Sequence, residues 1–116
     1  MTVFVDTKKC KRVRLDNSRG EVAEIVNREL CSAKDVLAML RWLNAGETFA
    51  AEPKDDTHQL LYLMEGDGTV TLNGRDHDVP KGAGVYLGPD ESAAIRQRGA
   101  GTTKLLHLVV PRIHGR

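Results

Sequence analysis

The second half of the chain alternates between short apolar runs and turn residues. Glycine, aspartate, asparagine or proline separates the runs HQLLYLME, TVTLN, VYLG, SAAIR and KLLHLVV. Short apolar runs with such boundaries predict strands joined by turns. Asn73-Gly74 follows TVTL and predicts a hairpin, because both central residues of that turn need a positive φ angle. The pattern predicts an antiparallel sandwich or barrel.

Two patterns compete in the first half, between residues 20 and 43. Apolar residues recur at roughly helical spacing, which favours a helix from about Glu21 to Leu30. Further along, alternate residues from Val36 to Trp42 are apolar, as on one face of a strand. The period alone leaves helix and strand both open for residues 21–35.

The run HQLLYLME is apolar on both faces of the predicted strand. One face carries Gln59, Leu61, Leu63 and Glu65, and the other carries His58, Leu60, Tyr62 and Met64. A strand of this kind is covered on both sides, by a barrel interior on one and by another layer or subunit on the other. Together with the apolar first ~35 residues, this second face predicts a homodimer.

Composition narrows the class of protein. The 116 residues and 12.8 kDa fit one domain, residues 1–116, and 41% hydrophobic residues suffice for one core. The net charge is only +1, whereas a protein that binds nucleic acid through its phosphates usually has a clear excess of basic residues, so we expect no nucleic-acid partner. No apolar run predicts a membrane span, and the N-terminus does not resemble a signal peptide, so we expect a cytoplasmic protein. The two cysteines, Cys10 and Cys31, show no metal-binding spacing. Composition therefore leaves a small, near-neutral single domain and does not name its ligand.

Two series of residues have a distinctive spacing. Gly46 is followed after five residues by Glu52-Pro53-Lys54, after four more by Gln59, and after six more by Gly66; Gly82 is followed at set intervals by Gly88, Asp90, Ala93 and Gln97. This spacing resembles the two motifs of the cupin family, over roughly Ala38 to Pro111. The resemblance implies a cupin-like double-stranded β-helix, an all-β jelly-roll barrel. Residues 38–111 would form the barrel and residues 1–35 an N-terminal extension.

The metal-ligand positions of the family are substituted in this chain. Metal-binding cupins use three histidines and a carboxylate, and the corresponding residues here are Glu52, Lys54, Gln59 and Ala93. A protonated lysine has no lone pair to donate, glutamine is a weak neutral ligand, and alanine is none. We therefore expect no metal and no other cofactor.

Nine residues are candidates for a site in the barrel. The catalytic candidates are His58, Glu52, Tyr62 and His107, and the ligand-binding candidates are Lys54, Gln59, Tyr86, Gln97 and Trp42. Histidine titrates near neutral pH, and a one-residue bulge would turn His58 into the barrel. Most of these candidates also have a structural explanation. The histidines and Tyr62 would pack, Glu52 and Lys54 would form an ion pair on one strand face, and Trp42 would close a barrel end.

Three functions follow from the resemblance. The first is metal-independent isomerase, epimerase or dehydratase chemistry on a small polar metabolite. The second is a non-catalytic small-molecule-binding or dimerising module. The third, a metal-dependent oxygenase or decarboxylase, fits the substituted ligand positions least. An ionisable pair converging inside the barrel would favour an enzyme over a binding module.

Overall fold

A computed structural model describes residues 4–27, 30, 36–53 and 56–111. Within these ranges a 3-10 helix spans Thr7–Lys9, and the strands are β1 (Val13–Arg14), β2 (Glu21–Val26), β3 (Leu37–Leu43), β4 (Thr48–Ala51), β5 (Thr57–Glu65), β6 (Asp67–Leu72), β7 (Arg75–Val79), β8 (Gly84–Leu87), β9 (Ala93–Arg98) and β10 (Thr103–Pro111). No helix in the described part of the chain has the length and apolar character needed to cross a membrane.

The strands form two sheets. The larger has the order β1-β2-β3-β10-β5-β8 and the smaller the order β4-β9-β6-β7, and the paired strands run antiparallel. From β3 to β6 successive strands alternate between the sheets, and so do β7 to β10, as in a jelly roll. The predicted all-β, cupin-like fold is confirmed.

The hydrophobic core lies between the sheets, where the strands from β3 onward contribute their inward-facing side chains. Its buried residues are Leu43, Phe49, Ala51, Leu61, Leu63, Val70, Leu87, Ala93, Ile95 and Leu105. The predicted hairpin joins β6 to β7: Leu72 pairs with Arg75, and Asn73 and Gly74 have φ angles of 50° and 76°.

The helical interpretation is wrong for Glu21–Val26, which form strand β2. β2 pairs with β3, and the register shifts between Glu24 and Val26. The extra residue at this bulge interrupts the alternation of the strand, so the apolar positions acquire a spacing that resembles a helix. Residues 28–29 and 31–35 of the ambiguous segment lie outside the described residues.

Strand β5 has one buried face and one partly exposed face. Gln59, Leu61 and Leu63 point between the sheets and are buried, whereas Tyr62 and Met64 are exposed on the outside. The outer side of β5 continues onto β8 and β10. We call this surface the outer apolar face, and its residues are Leu60, Tyr62, Met64, Tyr86, Leu106 and Leu108.

Candidate functional site

A cavity of about 400 Å³ opens between β2 and β3 of the larger sheet and β4, an edge strand of the smaller one. Its walls are Leu15, Arg19, Val22, Glu24, Met39, Arg41, Thr48, Phe49, Ala50 and Glu52. Val22 lies opposite Arg41, and Glu24 opposite Met39, so all four side chains share one face of the sheet. The volume is within the range of small-molecule sites.

Three polar side chains, one each on β3, β10 and β5, lie on the inward face of the larger sheet. His107 on β10 pairs with Met39 on β3 and with Leu61 on β5, so its side chain shares their inward face. Arg41 and Gln59 share the same face, two residues from these partners along their strands. His107 and Gln59 are buried, and Arg41 is half-buried.

These side chains form a continuous chain of hydrogen bonds. Arg41 Nε donates to His107 Nδ1 over 3.2 Å, His107 Nε2 contacts Gln59 Oε1 at 2.8 Å, and Gln59 Nε2 donates to the carbonyl oxygen of Glu52 over 2.9 Å. A guanidinium only donates, so Nδ1 of His107 accepts and the proton of the neutral imidazole is on Nε2. Both imidazole nitrogens are therefore engaged by neighbouring side chains.

The guanidinium of Arg41 is held in an unusual environment for a cation. Its Cζ lies 3.7 Å from the centre of the Phe49 ring, and one terminal nitrogen approaches Met39 Sδ at 3.6 Å. Burial and, to a smaller extent, the charge of Arg19 together lower the pKa of Arg41 to about 10. Within the described ranges, none of the ion pairs includes Arg41.

His58, Tyr62 and Tyr86 lie outside the barrel. The His58 imidazole is hydrogen-bonded to the Tyr86 hydroxyl, and the two rings stack with centroids 5.8 Å apart. The expected bulge at His58 is wrong, because β5 alternates regularly there and its register shift with β10 falls at Lys104/Leu105. With Gln59 facing inward, alternation turns His58 outward, and Tyr62 with it.

Trp42 and Gln97 also have roles away from the cavity. Trp42 lies on the outside of β3 with the Arg12 guanidinium 3.8 Å from its ring centre, so it does not close a barrel end. The Gln97 amide donates to the carbonyls of Gly99 and Gly101 over 2.6 and 2.8 Å, which closes the turn after β9.

The expected pairing of Glu52 with Lys54 on one strand face is not part of the described structure. β4 ends at Ala51, so Glu52 lies beyond the strand, and Lys54 is outside the described residues. The exposed Glu52 side chain nevertheless lines the cavity.

The residues at the family's metal positions do not fit a metal ion. The Gln59 amide is bonded to His107 through its oxygen and to the Glu52 carbonyl through its nitrogen. Ala93 packs in the core. In the part of the chain that the structure describes, no group of three or more His, Cys, Asp or Glu side chains is placed to hold a metal.

Arg41 is the residue of this hydrogen-bonded chain that the sequence analysis missed. It is the one charged residue in the run LAMLRWL that forms β3. A charge at an inward position of an otherwise apolar strand is rare unless it is paired or functional. That signal was present, but the competing helical period in this region concealed which face Arg41 occupies.

A second hollow, of about 390 Å³, lies beside the N-terminal segment. Its walls are Phe4, Val5, Asp6, Lys9, Cys10 and Leu30. Phe4 is 97% exposed, and none of the other described wall residues is buried. The polar network therefore distinguishes the cavity beside β4 as the candidate site.

Several solved structures are similar to this chain. A predicted oxalate decarboxylase from Thermotoga maritima has a TM-score of 0.81 at 21% identity, covering 94% of this chain and 99% of that one. KdgF from Halomonas sp. has a TM-score of 0.78 at 12% identity, covering 98% and 97%. The polyketide cyclase RemF from Streptomyces resistomycificus has a TM-score of 0.75 at 15% identity, covering 100% and 83%. At these identities the similarity shows the fold.

The comparison with family models is more specific. No curated protein matches the chain. The model of the AraC-like ligand binding domain matches residues 37–107, which include β3, β4, β5 and the hydrogen-bonded residues from Arg41 to His107. This match covers more than half of the chain, and the fold agrees with it. The chain therefore belongs to the AraC-like ligand-binding domain family, a family of the cupin type.

Proposed function

We propose that this protein binds a small polar metabolite in the cavity between β2–β3 and β4, without a metal and without turning the ligand over. The observation that carries this proposal is the engagement of both His107 nitrogens by Arg41 and Gln59. A general base needs a nitrogen within reach of the substrate proton. An imidazole fixed at both ends instead serves to hold Arg41 in place.

The other expected catalytic residues support binding over catalysis. His58 and Tyr62 lie on the outside of the larger sheet. Glu52 reaches the cavity, but its connection to His107 passes through the Gln59 amide and the Glu52 backbone carbonyl, not its carboxylate. No proton-transfer pair is therefore formed between these candidates.

The test of this function is binding without conversion. Calorimetry and thermal unfolding would screen small carboxylates, sugars and polyols. A ligand at about one hundred times its Kd should stabilise the protein by roughly 2.7 kcal/mol, or about 10 °C in Tm. Ala50→Trp should abolish binding, because Ala50 is an exposed residue on the cavity wall. Ala100→Trp places the same ring on an exposed turn and is the matched control.

NMR of the bound ligand distinguishes a binding module from an enzyme. Incubation with stoichiometric protein should return the ligand unchanged. Conversion that is lost in Ala50→Trp and kept in Ala100→Trp would show that the cavity is an active site and would overturn the proposal.

We also propose that the protein is a homodimer that pairs through the outer apolar face. Tyr86 is 59% exposed, and Tyr62 and Met64 are about 40% exposed, beside the half-buried Leu106 and Leu108. Contiguous apolar surface of this kind marks interfaces. A two-fold pairing of the face with itself would cover both copies at once.

A further inference from the structure

We propose that the ligand of the cavity is a small hydroxy acid whose carboxylate binds the guanidinium of Arg41, with Arg19 as a second cation. The inference rests on the proposed function, because it concerns the same cavity. It names the chemical class of the ligand, and three observations support it.

The first observation is the orientation of Arg41. Nε faces His107, one face of the guanidinium covers the Phe49 ring, and a terminal nitrogen lies near the Met39 sulfur. Thioether sulfur is a weak acceptor. The other terminal N–H groups have no acceptor among the described residues, and Arg41 lines the cavity. A fixed guanidinium fork is the geometry that binds a carboxylate through two parallel hydrogen bonds.

The second observation is the uncompensated charge. The pKa of Arg41 falls to about 10 because of burial and the repulsion of Arg19, and no carboxylate of the described residues counteracts either effect. Removing an unpaired cation from water is unfavourable, and a bound anion supplies the missing counter-charge. Arg19 lies on the same cavity wall, and its contact with protein is Nε donating to the Asp16 carbonyl over 2.9 Å.

The third observation concerns the rest of the ligand. The cavity walls also carry Glu24 and Glu52, both exposed. Two carboxylates accept hydrogen bonds from hydroxyl groups and repel a dianion. The walls therefore favour one carboxylate with neighbouring hydroxyls over a phosphate.

The experiment compares an acid with its neutral counterpart. Calorimetry would measure wild-type binding of gluconate, of lactate and glycerate, of sorbitol, which replaces the gluconate carboxylate by an alcohol, and of inorganic phosphate. We expect a hydroxy acid of this panel to bind at least about tenfold more tightly than sorbitol and phosphate.

Arginine variants locate the contact. Arg41→Gln should weaken the binding of that acid by about tenfold or more and leave sorbitol binding unchanged. Arg75→Gln, the control, removes the same charge from an exposed residue of β7 and should have no effect. Arg19→Gln, on an exposed residue, should lower the affinity for the acid about two- to fivefold. This variant keeps the test decisive if Arg41→Gln does not fold.

Failure of this inference is distinguishable from failure of the proposed function. If sorbitol or another neutral ligand binds as tightly as the acids and Ala50→Trp blocks it, the cavity still binds a metabolite, but the carboxylate assignment is overturned. If phosphate binds more tightly than every acid, the choice of carboxylate is wrong. If no acid in the panel binds in an Arg41-dependent way, the assignment is likewise overturned.

Discussion

Gly20, between β1 and β2, lies directly against the backbone of β3 at Trp42. A Cβ atom there would lie 2.3 Å from the Trp42 carbonyl oxygen, and the φ angle of Gly20 is +82°. The close contact and the left-handed backbone both require glycine. Gly46 has nearly the same φ angle, +81°, but open space around it. A comparison of the two positions therefore distinguishes the cost of a positive φ angle, which both share, from the cost of the steric clash, which occurs only at Gly20.

Gly20→Ala should destabilise the protein more than Gly46→Ala. In both variants an alanine must adopt a positive φ angle, which lowers the free energy of unfolding by about 1 kcal/mol. Gly20→Ala must in addition move β3 or the hairpin, and we expect a total loss of about 3 kcal/mol or more. Urea unfolding of both variants measures the difference. Equal losses would show that the hairpin does not press on β3 in solution.

Beyond its backbone pairing with β2, strand β1 is held by charged contacts, because the side chains of its two residues are exposed. Arg14 bridges Glu21 on β2 and Glu47 in the turn before β4, and Glu47 also accepts the Asn44 backbone N–H over 2.7 Å. The Ser18 carbonyl accepts the Thr48 N–H over 2.9 Å. Glu47 thus connects the hairpin that carries Arg19 to the barrel.

Glu47→Gln should destabilise the protein at neutral pH and much less in acid. The Asn44 backbone hydrogen bond, then Arg14, hold the pKa of Glu47 below its ordinary value of 4.5. The ionised carboxylate therefore stabilises the fold fully above pH 4.5, and this contribution is lost as the pH falls below 4.5 through the folded pKa.

Thermal unfolding at several pH values measures this loss. At pH 7 we expect Glu47→Gln to cost about 1 to 2 kcal/mol. Glu65→Gln, at an exposed residue of β5, is the control and should change stability little at any pH. A cost for Glu47→Gln that is equal at pH 7 and well below pH 4.5 would contradict the assignment of the carboxylate.

An element could be predicted from the sequence where neighbouring residues determine its structure, and could not where distant residues determine it. The β6–β7 hairpin was readable because Asn73-Gly74 alone fixes the turn, and Gln59 was placed on the inward face because alternation in β5 is regular from His58 to Leu63. β2 was ambiguous because a bulge depends on its partner strand. Arg41 was missed because its importance arises from contacts with distant residues, His107 and Phe49.

At the scale of the whole molecule, the two sheets present contrasting outer surfaces. The smaller sheet carries an ion pair of Arg96 with Asp76, and Arg98 lies near Asp67 and Asp78. Such charged surface remains in water at little cost. The larger sheet carries the outer apolar face on β5, β8 and β10. This asymmetry gives the molecule one face suited to association.

Sedimentation equilibrium at tens of micromolar should give twice the chain mass of 12.8 kDa. The double variant Tyr62→Glu/Met64→Glu should sediment as a folded monomer, because two desolvated carboxylates on each side of the interface would oppose pairing. Lys81→Glu, a charge reversal on an exposed turn, should leave the dimer intact. A wild-type mass near 12.8 kDa would contradict the dimer.

The position of β10 has a consequence for synthesis of the protein. β10 follows all the other strands along the chain, yet it occupies the middle of the larger sheet, between β3 and β5. Until Thr103–Pro111 have emerged from the ribosome, both neighbours have open edges, and His107, which holds Arg41, is absent. Contacts of such high sequence separation form slowly, and open strand edges invite aggregation. We therefore expect the nascent chain to expose these edges until β10 has been translated, and the barrel and its cavity to form together only then.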